Sequence, residues 1–195
     1  MTKALFIVDV QNDFTEGGAL GVAGGDAVAT GITAHLAAHA GEYAVIVASR
    51  DWHDPDSDNG GHIALGGEPD FVDTWPVHCV AGTEGADYDP GLQVDAVTHH
   101  VRKGQGVPAY SLFEGTTDAG ERVADLLSAH GVTEADVTGI ATDYCVRASA
   151  LDALAHGIHV RVLTDLVAGV APASSQAALA ELAHAGAALL DHAER

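Results

Sequence analysis

The sequence predicts an α/β fold: a doubly wound, mostly parallel six-stranded sheet with helices on both faces. Two observations carry that expectation. Short apolar runs without polar alternation recur along the chain, as strands buried on both faces do. Between them lie segments with apolar residues at helical spacing, several closed by a glycine, and strands alternating with helices build parallel sheets. The 195 residues carry no internal repeat and no low-complexity linker. Residues 1–195 are therefore read as a single domain, near the upper end of what one core serves.

The elements follow in order. "KALFIVDV" is a buried strand, and a turn-rich loop then runs to Gly25. A helix of small residues extends to about Ala40, and "YAVIVASR" is the second strand. "AVTHHVRK" is a shorter third strand, followed by the helix "AGERVADLLSAHG" with Val123, Leu126 and Leu127 on one face and Gly131 as its stop. "ADVTGIA" is the fourth strand, and a helix from about Asp143 to His156 ends at Gly157. "IHVRVLTD", the helix "SSQAALAELAHAG" and a short strand "AALL" complete the series. One segment breaks it: from Asp51 to about Leu92 the chain is rich in Gly, Pro, Asp and His and has little periodicity. A loop that long in a compact domain is usually functional, and residues 51–92 are read as a metal-binding insertion.

Composition narrows the function classes. The formal net charge is −20, with two lysines and six arginines. A surface this acidic repels phosphate backbones and anionic lipid, so neither nucleic acid nor membrane is expected as a partner. The apolar start "MTKALFIVDV" is too short for a secretory signal, and no segment has the roughly 18 apolar residues of a membrane span. A cytoplasmic protein acting on a small molecule is the expectation, and a homo-oligomer is compatible with it. Two cysteines make no disulfide framework.

In a doubly wound sheet the chemistry gathers beyond the carboxyl ends of the strands. The first strand ends in Asp9, the second in Arg50 and Asp51, the third in Arg102 and Lys103, and the fourth runs into Thr142, Asp143 and Cys145. Taken singly, each is an ordinary loop cap, edge charge or buried thiol. Together, Asp9, Lys103 and Cys145 make a nucleophilic set. A thiol at a helix start beside a cation is drawn towards thiolate, a carboxylate can carry the proton, and backbone N–H groups around Ala141 and Cys145 can hold an oxyanion. Attack on an amide carbonyl is the natural reaction for these groups. Asp51 and His53 lie on one side of an extended "D-W-H" segment, and His62 and His78 follow in the irregular loop. One carboxylate and two or three imidazoles suit one divalent transition metal, Zn, Fe or Mn, with positions left open. His130, His156 and His184 read as helix C-terminal residues, while His35, His39 and His192 read as surface positions.

Six ordered segments, "FIVDVQNDF", "SRDWHDPDS", "WPVHCVAGTEGA", "KGQGVPAYSLFEG", "GIATDYCVRASALDAL" and "VLTDLVAG", together resemble the nicotinamidase/pyrazinamidase family of isochorismatase-like cysteine hydrolases. The resemblance implies a catalytic triad of Asp9, Lys103 and Cys145 and metal ligation by Asp51, His53 and His78. His62 matches a ligand position that varies among relatives. A non-proline cis peptide between Ile140 and Ala141 is also implied, turning the Ala141 N–H towards the oxyanion. Phe14, Trp75, Tyr110 and Tyr144 match positions enclosing the pyridine ring. The implied reaction, part of NAD salvage, converts nicotinamide to nicotinate and ammonia through a Cys145 acyl-thioester, with pyrazinamide as a second substrate. The rivals are hydrolysis of another small amide, such as a ureido acid or maleamate, and a non-catalytic metal-binding protein on the same fold. The insert "DPDSDNGG" between His53 and His62 is longer than in some relatives, and Tyr144 stands where some carry His.

Overall fold

Apolar side chains on both faces of a strand require cover on both faces, and the first strand sets that geometry. In the computed structural model, which describes residues 2–192, β1 (Thr2–Val8) is buried from Ala4 onward. Leu5 and Ile7 point into one core, packed by Ile32 and Leu36 of α1 (Gly25–His39). Phe6 and Val8 point into the other, against α2 (Val123–Ala129), α3 (Arg147–Ala155) and α4 (Pro172–Ala185). The other strands are β2 (Val45–Asp51), β3 (His99–Lys103), β4 (Thr116–Thr117), β5 (Val132–Ile140), β6 (His159–Ala168) and β7 (Ala188–Leu190).

The sheet order is β4-β3-β2-β1-β5-β6-β7. Every pairing is parallel except β3 with β4. The expected six strands are thus seven. The extra one, β4, is a two-residue antiparallel edge, too short to leave a periodic signal in the sequence. From β1 the chain winds out to β2 and β3, then returns to place β5 on the other flank of β1. The ends of β1 and β5 therefore border the crevice where such sheets bind ligands.

Two local readings shift. The helix expected from Asp143 begins as a π-helical turn, Thr142–Val146, before α3 takes over at Arg147. His35, expected on the surface, is buried on the core-facing stripe of α1 with Val28, Ala29, Ile32 and Leu36. Its ring Nε2 lies 2.8 Å from the Tyr43 hydroxyl, which donates to Asp136 Oδ2 at 2.6 Å. That polar partner is what admits an imidazole to the core. Among the described residues, no helix is long and apolar enough to cross a membrane.

Candidate active site and metal centre

Parallel register brings the strand-end residues together. Asp51 and Lys103 are direct neighbours across β2 and β3, so their side chains rise on the same face. Asp9 follows β1, with a left-handed φ of 48° that turns the chain away from the sheet. Lys103 Nζ, fully buried, lies 2.9 Å from Asp9 Oδ2, forms a very short ion pair with Asp51 Oδ1, and reaches Cys145 Sγ at 3.7 Å. It also donates to the Ala109 carbonyl at 3.3 Å. The ligand atoms of Asp9, Asp51 and Cys145 all lie within 4.8 Å of one another.

The π-helical turn accounts for the position of Cys145. The Ile140–Ala141 peptide is cis. The Tyr144 and Val146 N–H groups both donate to the Ala141 carbonyl, at 3.0 and 3.1 Å, which tightens the chain around the intervening cysteine. Asp143 anchors the turn from outside, accepting from the Val170 N–H at 2.9 Å and the Ser174 hydroxyl at 2.5 Å. Ser49 donates to Asp9 Oδ1 at 2.7 Å.

The charges oppose and sort one another. Burial disfavours the Lys103 ammonium, but Asp51 and Asp9 together hold its pKa well above the usual range. Burial likewise disfavours the Asp51 carboxylate, yet the Lys103 ammonium beside it, with His53 and His78 nearby, holds its pKa well below the usual carboxylate range. Asp9 differs: burial raises its pKa, and Lys103 offsets only part of the rise. Burial also pushes the Cys145 thiol well up, against the pull of Lys103. The group therefore contains a fixed cation, a fixed anion, and a carboxyl and a thiol that can share a proton.

Beside it stand the histidines. His53 Nδ1 faces the Gly104 carbonyl at 2.9 Å and His78 Nδ1 faces the Pro76 carbonyl at 2.7 Å. A carbonyl only accepts, so each Nδ1 carries the proton and each Nε2 presents a lone pair. These two Nε2 atoms lie 3.2 Å apart, and Asp51 Oδ2 is 3.6 and 3.8 Å from them. Facing lone pairs beside a carboxylate lack a proton to share and suit a cation. The His62 ring lies 4.9 Å from that of His53, and one nitrogen from each of the three histidines falls within 4.8 Å of the others. The four residues thus fit a divalent metal by donor type and arrangement. Burial and the neighbouring His53 and His78 hold His62 neutral down to about pH 4.

A cavity of about 300 Å³ joins the two sets. Cys145 and Ala141 line it on one side, Asp51, His62 and His78 on another, and Phe14, Trp75, Tyr110 and Tyr144 on its apolar walls. The walls brace one another: Trp75 Nε1 donates to the Tyr110 hydroxyl at 3.1 Å and meets the Tyr144 ring edge-on at 5.1 Å. Every residue expected at the site from the sequence is therefore at one place.

Sequence reasoning missed several supports. Gln11 is fully buried and clamps Asp51 by both backbone groups, donating to its carbonyl at 2.9 Å and accepting from its N–H at 2.8 Å. It also donates to the Ala86 carbonyl at 3.0 Å. Gly104, with φ +82°, leaves room for the His53 ring, which a Cβ would meet at 2.6 Å. Asp13 accepts from the Cys79 N–H at 2.7 Å and so fastens the loop next to His78. Phe71 and Val170 reach the cavity as well. The available signals were a glutamine directly after an apolar strand and a glycine directly after Lys103.

A doubly wound sheet with a cysteine, lysine and aspartate at its carboxyl edge defines a class of cysteine hydrolase, and the comparisons name the family. The chain belongs to the Isochorismatase domain family, which matches residues 3–194. It is similar to the nicotinamidase/pyrazinamidase of Mycobacterium tuberculosis, 48% identical over 92% of this chain and 94% of that protein. Among solved structures it resembles the pyrazinamidase of Pyrococcus horikoshii in complex with zinc, at 38% identity and TM-score 0.81 over 98% of this chain and 99% of that one. It also resembles L. infantum PnC1 in complex with nicotinate, at 36% identity and TM-score 0.82, with coverage of 98% and 93%.

Proposed function

We propose that the protein is a metal-dependent nicotinamidase, an amidohydrolase that converts nicotinamide to nicotinate and ammonia, with pyrazinamide as a second substrate. The observation that carries this reading is one aromatic-walled cavity faced by Cys145 and by Asp51, His62 and His78, with His53 Nε2 3.2 Å from that of His78. A ring the size of pyridine fits between Phe14, Trp75, Tyr110 and Tyr144, with its carboxamide towards the thiol. Asp51, His53, His78 and His62 would hold a divalent metal, which would supply a Lewis acid to orient the ring through its nitrogen. The zinc in the P. horikoshii relative favours zinc among the candidate ions.

The chain's own residues perform the chemistry. Asp9 takes the Cys145 proton as the sulfur attacks the carbonyl carbon. The oxygen charge that develops meets the backbone N–H groups of Ala141 and Cys145. Asp9 then protonates the amide nitrogen, the C–N bond breaks and ammonia leaves an acyl-thioester. Water attacks that carbonyl while giving a proton to Asp9, the C–S bond breaks, and the proton returns to sulfur. Lys103 keeps its proton throughout, because Asp9 and Asp51 hold it charged. Its role is to stabilise negative charge on Asp9 and on sulfur.

The test is ammonia release from nicotinamide by zinc-supplemented protein, with Cys145→Ala as control. Release by the wild type and none by a variant that still binds metal is the expected result. A Cys145→Ala variant with near-normal turnover would sink the covalent mechanism. An inactive, metal-loaded wild type would move the substrate to the ureido and maleamate amides.

A further inference from the structure

Trp52 stands between two proposed metal ligands, Asp51 and His53, yet points to the opposite face of the sheet. There it meets two arginines. Arg50, on the same strand, lies with its guanidinium 4.8 Å from the indole centroid, and Arg102, the register partner of Arg50 on β3, lies 4.6 Å from it. Arg50 also covers the Tyr88 ring at 4.5 Å, and the Tyr88 hydroxyl is bound by His100 Nδ1 at 2.9 Å and donates to the Ala48 carbonyl at 3.1 Å. The result is a ladder of alternating cations and rings laid across the back of the strands that carry Asp51 and Lys103.

Two features set this ladder apart from ordinary surface charge. Two like charges are seated side by side on paired strands, an arrangement that repels unless something lies between them. The Nε atoms of both arginines are also buried without a hydrogen-bond partner, in a chain with 28 acidic residues. The nearest acids, Asp87 at 3.8 Å and Asp118 at 3.3 Å, touch only the outer guanidinium nitrogens. The planar cations are therefore seated by the aromatic faces, with the indole as the shared spacer. Meanwhile the Trp52 backbone N–H donates to the Lys103 carbonyl at 2.8 Å, so the residue that carries the stacked ring is also joined to the main chain of the site.

We propose that the Arg50–Trp52–Arg102 stack is a positioning device for metal capture: it fixes the backbone from which Asp51 and His53 project, without touching metal or substrate. This inference rests on the metal reading above. Groups that orient metal ligands typically change affinity by about 10- to 100-fold when removed.

The test is zinc affinity of the full chain by competition with a chromogenic chelator, measured beside thermal unfolding of the metal-free protein. Trp52→Leu is expected to weaken zinc about tenfold or more. Arg102→Gln, which leaves the ring in place, should weaken it by a smaller factor, and Trp52→Phe should restore most of the loss. Unchanged zinc affinity in Arg102→Gln and in a folded Trp52→Leu would overturn the proposal, as would a lower metal-free melting temperature with zinc binding untouched. If Trp52→Leu fails to fold, Arg102→Gln against Trp52→Phe decides. Wild type that binds zinc no better than His53→Ala would remove the metal reading, and the stack's role with it, whereas tight wild-type binding with no effect of the stack refutes the stack alone.

Discussion

Lys103 ends a hydrogen-bonded strand, Asp9 directly follows one and Cys145 sits in the tight turn after β5, whereas His62 and His78 project from a long irregular segment with no strand in it. The two regions reach comparable burial by different means. On the sheet, position comes from register: Asp51 faces Lys103 because β2 and β3 pair there, and Val8 meets Gly139 because β1 and β5 do. In the loop, position comes from separate bonds, some between backbone groups and some from single side chains, rather than from a continuous ladder. Isolated bridges join His53 to Val80 and Ile63 to Trp75. Asn59 holds the Asp54 and Gly106 N–H groups with one carbonyl oxygen, at 2.8 and 3.0 Å. Single substitutions should therefore be severe where charges share the rigid sheet edge, and milder and metal-specific where they touch the loop.

The sheet edge offers the largest effect. Lys103→Met leaves Asp9 and Asp51 buried side by side with no cation between them, which should cost about 3–5 kcal/mol at neutral pH and abolish turnover. The loss should shrink as pH falls and the carboxylates take up protons. Urea unfolding at several pH values reads this out, and a variant as stable as the wild type at neutral pH would show that the lysine's burial is itself the costly feature.

Gln11 tests the seam between the regions, since one amide binds both Asp51 on β2 and Ala86 in the loop. Gln11→Ala leaves buried backbone groups without partners and should cost about 2 kcal/mol or more. It should also weaken both zinc binding and the reactivity of Cys145. Damage to only one of these, measured by chelator competition and by thiol alkylation, would mean that the regions are held independently. Asn59→Ala lies wholly on the loop side. It should cost about 1–3 kcal/mol and loosen zinc while leaving alkylation of Cys145 unchanged.

The same contrast explains what the sequence revealed. Strands buried on both faces announce themselves as apolar runs, and their carboxyl ends could be read directly, so Asp9, Asp51, Lys103 and Cys145 were legible as a group. The loop histidines were legible as residue types, but their convergence depends on bonds such as Asp13 to the Cys79 N–H, which no periodicity encodes. His35 was misjudged because its polar support runs through Tyr43 to Asp136, 93 residues beyond that tyrosine. The Arg50–Trp52–Arg102 stack was invisible for the same reason: it exists only once β2 and β3 are in register.

The smallest effect concerns His62 and follows from its environment. Burial and the neighbouring imidazoles lower its pKa from 6.5 to about 4 in the folded metal-free protein. The unfolded chain therefore takes up a proton at His62 before the folded chain does. By linkage, stability is lost as pH falls from about 6.5 towards 4, and this contribution levels off below that range. The ring borders the cavity, where solvent softens the penalty, so the slope should be modest. His62→Asn, measured metal-free by urea unfolding between pH 7 and 4.5, should lose less stability over that interval than the wild type. Parallel curves would mean that the folded protein accommodates the imidazolium, and that the loop yields locally where the sheet edge does not.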